Sequence, residues 1–396
     1  MMNKRTANGT PENIRVLLVD LSIRFGGASV RALTLARHLA PWQTAIAGLK
    51  DSPVVKIAME RDIPVRIVGS SRTDPMIPFR LRKIIRSEDF QVVDTQNIQS
   101  KFWVSVASWL TDVAFVSTLN SSYQDEHAGS WKGRVYSAID RWTNSRTDQY
   151  IAVSRSIMDG LLHAGIPADM VDLVTNAVEI DDGSPSIDIN AIRQRISIPD
   201  DAVLCVSVGR LVWAKGYEDL IDAFAMVADQ VPKAYSVILG DGVLFEKLTE
   251  QIRQNNLIDR VRLLGYCNHD MVVDVLRAGD IFVMPSRSEG VPYALLEAGA
   301  LGMPILATRC GGIPDVLVDG VEALLVSVGD VPALASGLVR LATNEKALSE
   351  LGNNAKSKIE REFSLSAQIR DTRNSYLKAF AHKHKVEHSM LVDKVF

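Results

Sequence analysis

Twice along the chain, short runs of valine, isoleucine and leucine recur with helix-period stretches between them, and this alternation restricts the fold more than any single residue does. The first series is Arg15–Asp20, Thr44–Leu49, Pro64–Gly69, Val92–Gln96, Val113–Leu119, Gln149–Ser154 and Val171–Val178. The second is Ala202–Gly209, Tyr235–Gly240, Val261–Gly265, Asp280–Pro285, Pro304–Thr308 and Ala323–Val326. The runs are almost continuously apolar rather than alternating, as expected of strands in a sheet covered by helices on both faces. A helix between successive strands returns the chain to the same end of the sheet, so the strands pair in parallel. An α/β protein is predicted, with two Rossmann-like, doubly wound parallel-sheet domains. Its 396 residues suit two domains of ordinary size.

The polar stretch 1–13 lacks the apolar core of a signal peptide and reads as a disordered leader. Residues 14–180 form the first predicted domain and 201–365 the second. Between them, 181–200 is rich in Asp, Ser, Pro and Ile and reads as a linker. Ile369, Tyr376, Leu377 and Phe380 fall at helical spacing, predicting a helix over 366–381, followed by a mobile tail over 382–396.

Composition narrows the partners. A formal charge of −3 supplies no basic field, which argues against nucleic acid. Cys205, Cys267 and Cys310 are too scattered for a metal motif and odd in number for a disulfide framework, so a reducing cytoplasm is expected. No apolar run approaches the roughly 18 residues that a membrane span needs. Two readings stay open for the cationic Phe79–Arg86 stretch and the aromatic Lys101–Trp109 stretch: a peripheral membrane patch, or two ordinary amphipathic helices.

Three loops carry the residue types that chemistry needs. In Pro285-Ser-Arg-Ser-Glu289-Gly-Val-Pro-Tyr-Ala-Leu-Leu-Glu297, two glutamates eight positions apart flank a turn between a predicted strand and a predicted helix. Glu289 in the loop and Glu297 on the helix can each accept hydrogen bonds from a polyol. A plainer reading makes them a surface helix residue and a first-turn acid favoured by the helix dipole. After the strand ending at Gly209, Arg210 and Lys215 occupy one loop, where a planar fork and a compact cation suit a diphosphate. Taken alone, they are better read as solvated loop cations. Gly26 and Gly27 form a third turn, from strand into helix, where a backbone without side chains can approach an anion.

The stretch VSVGRLVWAKGYEDLIDAF, then LGDG at Leu239–Gly242, LLGY at Leu263–Tyr266 and MPSRSEGVPYALLEAGALGMPILATRCGGIPDVLVDG at Met284–Gly320 closely resemble the family 4 retaining glycosyltransferases of the GT-B fold. The resemblance is strong over 202–326. It is looser in the first half, where Phe25-Gly-Gly-Ala, Ile151-Ala-Val-Ser and Val174-Thr-Asn-Ala-Val-Glu look like degenerate forms of that family's motifs.

The resemblance implies two Rossmann-like domains facing a central cleft, the second holding a nucleoside diphosphate sugar, the first an acceptor, and the terminal helix crossing back to the first. It implies that Arg210 and Lys215 bind the donor diphosphate, Glu289 the transferred sugar and Glu297 the ribose hydroxyls. Gly209 ends the strand before that loop. Gly290, Val291, Pro292 and Tyr293 would supply backbone amides, Leu264, Gly265 and Tyr266 would frame the base, and Gly26 and Gly27 would close over the phosphates. The activity implied is hexosyl transfer with retention, from a UDP-sugar or a GDP-sugar, to a glycan or lipid-linked glycan. No cofactor beyond this co-substrate is expected, and no metal, because no Asp-x-Asp motif ends a strand and Arg210 with Lys215 can neutralise the leaving group.

The chain departs from the family where histidines are usual, reading Asp94-Thr-Gln-Asn97 and Leu119-Asn120. Asn120 is the expected residue on the sugar or acceptor side, and an amide cannot relay a proton. His127 is a second candidate there, and also reads as an ordinary loop histidine. Two further readings remain: a nucleotide-sugar-binding regulatory or scaffold subunit, and a sugar-nucleotide epimerase on the same fold. Sugar, base, acceptor, linkage and oligomeric state are left open by the sequence.

Overall fold

In a computed structural model, residues 14–109, 111–121, 142–178 and 188–386 are described. The chain divides into two compact units, Met1–Thr175 with Ser366–Phe396, and Asn176–Leu365.

In the first unit the strands are β1 (Arg15–Asp20), β2 (Gln43–Leu49), β3 (Val65–Gly69), β4 (Val92–Thr95), β5 (Ala114–Leu119), β6 (Gln149–Ala152) and β7 (Val171–Leu173). They form one parallel sheet in the order β3-β2-β1-β4-β5-β6-β7. The direction of strand addition reverses between β1 and β4. Val16, Leu17, Leu18 and Val19 of β1 are all fully buried, which explains the unbroken apolar run: each face of the strand meets a helix layer. Leu17 and Val19 pack with Leu81, Ile85 and Val104 from the Ile77–Ser87 and Ile98–Ser108 helices.

The terminal helix, Leu365–His384, belongs to this unit. Its buried Tyr376 donates to Asp94 Oδ2 at 2.6 Å and stacks on Trp42 with ring centroids 6.4 Å apart, while Lys378 reaches Asp172 at 2.5 Å. The helix runs three residues past the predicted end, so His382, Lys383 and His384 are helical rather than tail.

The second unit contains β8 (Val203–Val208), β9 (Ala234–Leu239), β10 (Val261–Gly265), β11 (Ile281–Met284), β12 (Ile305–Thr308) and β13 (Leu324–Val326). These also pair in parallel, in the order β10-β9-β8-β11-β12-β13. Here the reversal falls between β8 and β11, which pair through Cys205 with Ile281 and Val206 with Phe282.

The predicted linker differs in its described part. Asp188 caps a helix, Ile189–Arg195, by accepting from the N–H groups of Asn190 and Ala191. Buried Arg193 then donates to the carbonyls of Asp200, Ala202 and Ala278 and to the Asp280 carboxylate. One guanidinium satisfies several strand-end acceptors at once, and this makes a polar stretch part of the second unit rather than a spacer. Residues 1–13, 179–187 and 387–396, on which the leader, the start of the linker and most of the tail fall, lie outside the described residues.

Candidate active site

Because β8 and β11 are neighbours, the loops leaving their carboxyl ends meet although they are far apart in sequence. This reversal point is where open α/β sheets bind ligands. Lys215, from the loop after β8, donates through Nζ to Glu289 Oε1 at 2.5 Å, and Ser286 Oγ donates to the same oxygen at 2.6 Å. The side chains are 18% and 9% exposed, so the pair is largely screened from water and its attraction exceeds that of a surface pair. The two residues expected to contact separate parts of a ligand are thus also partners of each other. Arg210, next to Gly209 at the end of β8, is exposed and its guanidinium has no partner among the described residues.

Several residues without a sequence-based assignment hold these two loops together. Lys215 ends a short 3₁₀ turn, Trp213–Lys215, and the carbonyl of Ala214 accepts the N–H of Arg287 at 2.8 Å. The Arg287 side chain donates to Trp213 O at 2.9 Å and Asp219 Oδ1 at 2.7 Å, with its guanidinium carbon 5.4 Å from the centre of the Trp213 ring. Burial pushes the Asp219 carboxyl up, and Arg287 opposes that shift. Gly216 follows at φ 64°, and a Cβ there would collide with Pro285 O, so the close approach of the two loops requires glycine.

From the other side, the loop after β12 supports Glu289. Gly311 has φ 51°, a Cβ on it would collide with Glu289 O, and the N–H of Gly312 donates to Gly290 O at 3.0 Å. Thr308 Oγ1 donates to Ser286 O. Cys310 is buried beside them, and burial, with the Glu289 charge second, pushes its thiol up to about 12. It therefore packs as a neutral thiol and is unsuited to act as a nucleophile. The Tyr217 hydroxyl is raised for the same two reasons. The paired glycines at 311–312 were visible in sequence, but their contact with Glu289 was not.

Glu297 lies on the Tyr293–Ala300 helix, entered through buried Gly290 and Val291 and capped at Pro292. The turn is clamped by Asn176, whose Nδ2 donates to Val291 O at 2.7 Å while its Oδ1 accepts from Tyr293 OH at 3.2 Å. Glu297 Oε1 is 3.0 Å from His269 Nε2, a histidine no sequence motif singled out. Of the predicted base-framing residues, Leu264 packs against the core of this unit, Gly265 ends β10, and Tyr266 is 71% exposed.

In the first unit, Gly26 precedes the Gly27–His38 helix, and a Cβ on it would meet nothing within 4 Å, so this turn opens onto free space. Beside it Asp20 accepts from Ser29 Oγ at 2.6 Å and Asn97 Nδ2 at 2.7 Å. Asn120 donates to Gln96 O at 3.1 Å, and its Oδ1 is buried without a partner among the described residues. His127 lies outside the described residues. The aromatic Lys101–Trp109 stretch does not form a continuous surface patch. Lys101 is buried and bonds Asn144 at 2.9 Å, and Trp103 donates to Arg72 O at 2.8 Å while packing on the core; Trp109 is exposed.

The family described as "Glycosyltransferase Family 4" matches residues 25–182, and that described as "Glycosyl transferases group 1" matches residues 188–358. The chain is 24% identical over 310 residues to the UDP-Gal:alpha-D-GlcNAc-diphosphoundecaprenol alpha-1,3-galactosyltransferase of Escherichia coli, covering 76% of this chain and 79% of the relative. It is 25% identical over 371 residues to the alpha-D-kanosaminyltransferase of Streptomyces kanamyceticus, covering 89% of this chain and 95% of the relative. Among solved structures, Anabaena HepE in complex with UDP and glucose superposes with a TM-score of 0.80 at 20% identity, covering 91% of this chain and 98% of the other.

Proposed function

The chain belongs to the family 4 glycosyltransferases of the GT-B fold and uses a nucleotide sugar, and from that premise we propose that it is a metal-independent, retaining hexosyltransferase acting on a glycan or lipid-linked glycan. A UDP-sugar is the favoured donor, with GDP-sugars the competing class. The donor named for the E. coli relative and the UDP bound to HepE support that preference.

One observation carries the proposal: the Lys215–Glu289 pair at the reversal point of the second sheet, beside Arg210, whose guanidinium has no partner among the described residues. A diphosphate brings negative charge that competes with Glu289 for Lys215. Arg210 adds a planar donor fork, and the two cations offset the charge that grows on the departing phosphate. Glu289, released from part of its ion pair, then accepts from hydroxyls of the transferred sugar, and Glu297 accepts from the ribose. The donor's anomeric C–O bond breaks as the acceptor oxygen bonds the same face of that carbon. The acceptor proton passes to the departing phosphate oxygen, so no protein base is needed. We assign acceptor contact to the first unit, with Asn120 the candidate residue on that side.

Thermal-shift measurement with UDP- and GDP-sugars ranks the donors, since a ligand of the folded state raises its apparent stability. Turnover with the ranked donor then separates the readings. Slow nucleotide release without acceptor supports transfer, tight binding without turnover under any acceptor supports a regulatory subunit, and interconversion of sugar epimers supports an epimerase. The anomeric configuration of the product decides retention.

Membrane contact is a separate question. Among the described residues no helix is long and apolar enough to cross a membrane. On the Ile77–Ser87 helix, Phe79 is 59% exposed with Lys83 and Arg86 also on the exposed side, an arrangement that supports peripheral association with a lipid surface. Co-sedimentation with anionic liposomes at low salt, lost at high salt, is the expected result; no binding at low salt removes the idea.

A further inference from the structure

The carboxylate of Glu297 is oriented from outside its own helix. His269 Nε2 lies 3.0 Å from Glu297 Oε1, and among the described residues this is the only side-chain hydrogen bond that the carboxylate makes. In the tautomer with its proton on Nε2, the imidazole donates and Oε1 accepts. His269 opens the His269–Ala278 helix, and Asn268 fixes that end by accepting from Met271 N–H at 3.0 Å. The Glu297 side chain is 15% exposed and the imidazole 57%, so the histidine approaches from the solvent side of a largely sheltered acid. With Oε1 engaged, Oε2 is left to accept from a ligand.

We infer that His269 is a positioning residue for the ribose end of the donor: by holding Glu297 Oε1 it presents Oε2 to a hydroxyl, and so sets how strongly the site separates a ribonucleotide from its deoxy counterpart. The inference rests on the reading that Glu297 holds the ribose. A hydrogen bond between a carboxylate and a ribose hydroxyl depends on direction as well as distance. An untethered Glu297 samples several rotamers, and fixing it on binding costs affinity. The contribution is specific to the hydroxyl, so it vanishes when the hydroxyl is absent.

Calorimetric titration of the full chain with UDP and 2′-deoxy-UDP, and in parallel with GDP and 2′-deoxy-GDP, tests this on four proteins: wild type, His269→Ala, His269→Gln and Glu297→Gln. The wild type is expected to favour the ribonucleotide by about tenfold, a discrimination typical of one hydrogen-bonded hydroxyl. His269→Ala weakens the ribonucleotide by about three- to tenfold and the deoxynucleotide hardly at all, closing the gap, with kcat for transfer changing less than KM. His269→Gln, whose amide can donate to the same oxygen, keeps most of the discrimination. Glu297→Gln closes the gap. If Glu297→Gln closes it and His269→Ala does not, the positioning role is overturned while the donor reading stands. Equal weakening of both nucleotides by His269→Ala, or a Gln variant no better than Ala, also overturns it. If the wild type shows no gap, or Glu297→Gln preserves it, the ribose reading itself fails.

Discussion

Replacing Tyr376 by phenylalanine removes one hydroxyl from the terminal helix and tests how that helix is fastened to the first unit. The hydroxyl donates at 2.6 Å to Asp94 Oδ2, which also accepts from Gln96 Nε2 at 2.7 Å, while Oδ1 accepts from Thr118 Oγ1 at 2.8 Å. Asp94 is fully buried, and burial raises its carboxyl from 3.8 to about 6, although Tyr376, Thr118, the nearby Arg31 charge and Gln96 all oppose the rise. Since the folded carboxyl holds its proton more tightly than the unfolded one, its stabilising contribution is complete below pH 3.8 and is lost as pH rises to about 6. A shift of this size corresponds to roughly 3 kcal/mol of penalty for the ionised form at neutral pH. Tyr376 limits that penalty, so Tyr376→Phe raises the carboxyl further. Loss of a hydrogen bond to a charged group is worth about 1.5–3 kcal/mol, and to a neutral one about 1 kcal/mol. Urea unfolding followed by circular dichroism should therefore show a loss of about 2–3 kcal/mol at pH 7.5 and about 1 kcal/mol at pH 5, with unchanged m-value. An equal loss at both pH values, or none at pH 7.5, would refute the argument.

Four further outcomes are expected. Glu289→Gln keeps the side chain's shape but removes the charge paired with Lys215, so turnover should fall by at least about tenfold while nucleotide affinity changes by less than about threefold; normal turnover would sink the assignment of Glu289 to the transferred sugar. Gly311→Ala places a methyl group against Glu289 O in a left-handed backbone, and should cost the second unit about 2–4 kcal/mol in thermal or chemical unfolding and depress activity with it. Arg193→Met deprives buried carbonyls and Asp280 of their donor and should destabilise the second unit by about 3 kcal/mol, whereas a variant as stable as wild type would show that 188–200 acts as a spacer after all. Treatment with a chelator should leave transfer unchanged, and restoration of lost activity by magnesium or manganese would exclude metal independence.

The alternation of apolar runs with helical stretches placed the strands close to where they are found, because burial on both faces leaves a strong local pattern. Tyr376 and Leu377 were likewise legible as one apolar stripe, but the acceptor for the Tyr376 hydroxyl was not, since Asp94 is 282 positions away. The described part of the predicted linker, 188–200, differs for the converse reason: its polar composition resembles a linker, and only the tertiary structure supplies the carbonyl acceptors that Arg193 is buried against.

The same division runs through the site. By itself the sequence determined two parallel α/β units, the residue types at the strand ends, and a resemblance specific enough to indicate a sugar-transfer chemistry. All of these follow from local periodicity and short motifs. Tertiary structure decided which side chains share charge: Lys215 with Glu289, His269 with Glu297, and Arg287 with Asp219. Lys215 with Glu289 and Arg287 with Asp219 join segments that follow the neighbouring strands β8 and β11, whereas His269 and Glu297 lie on helices that follow β10 and β11, two strands that are not neighbours. Strand order depends on how helices pack back across a sheet, an interaction between distant segments that leaves no periodic trace in either.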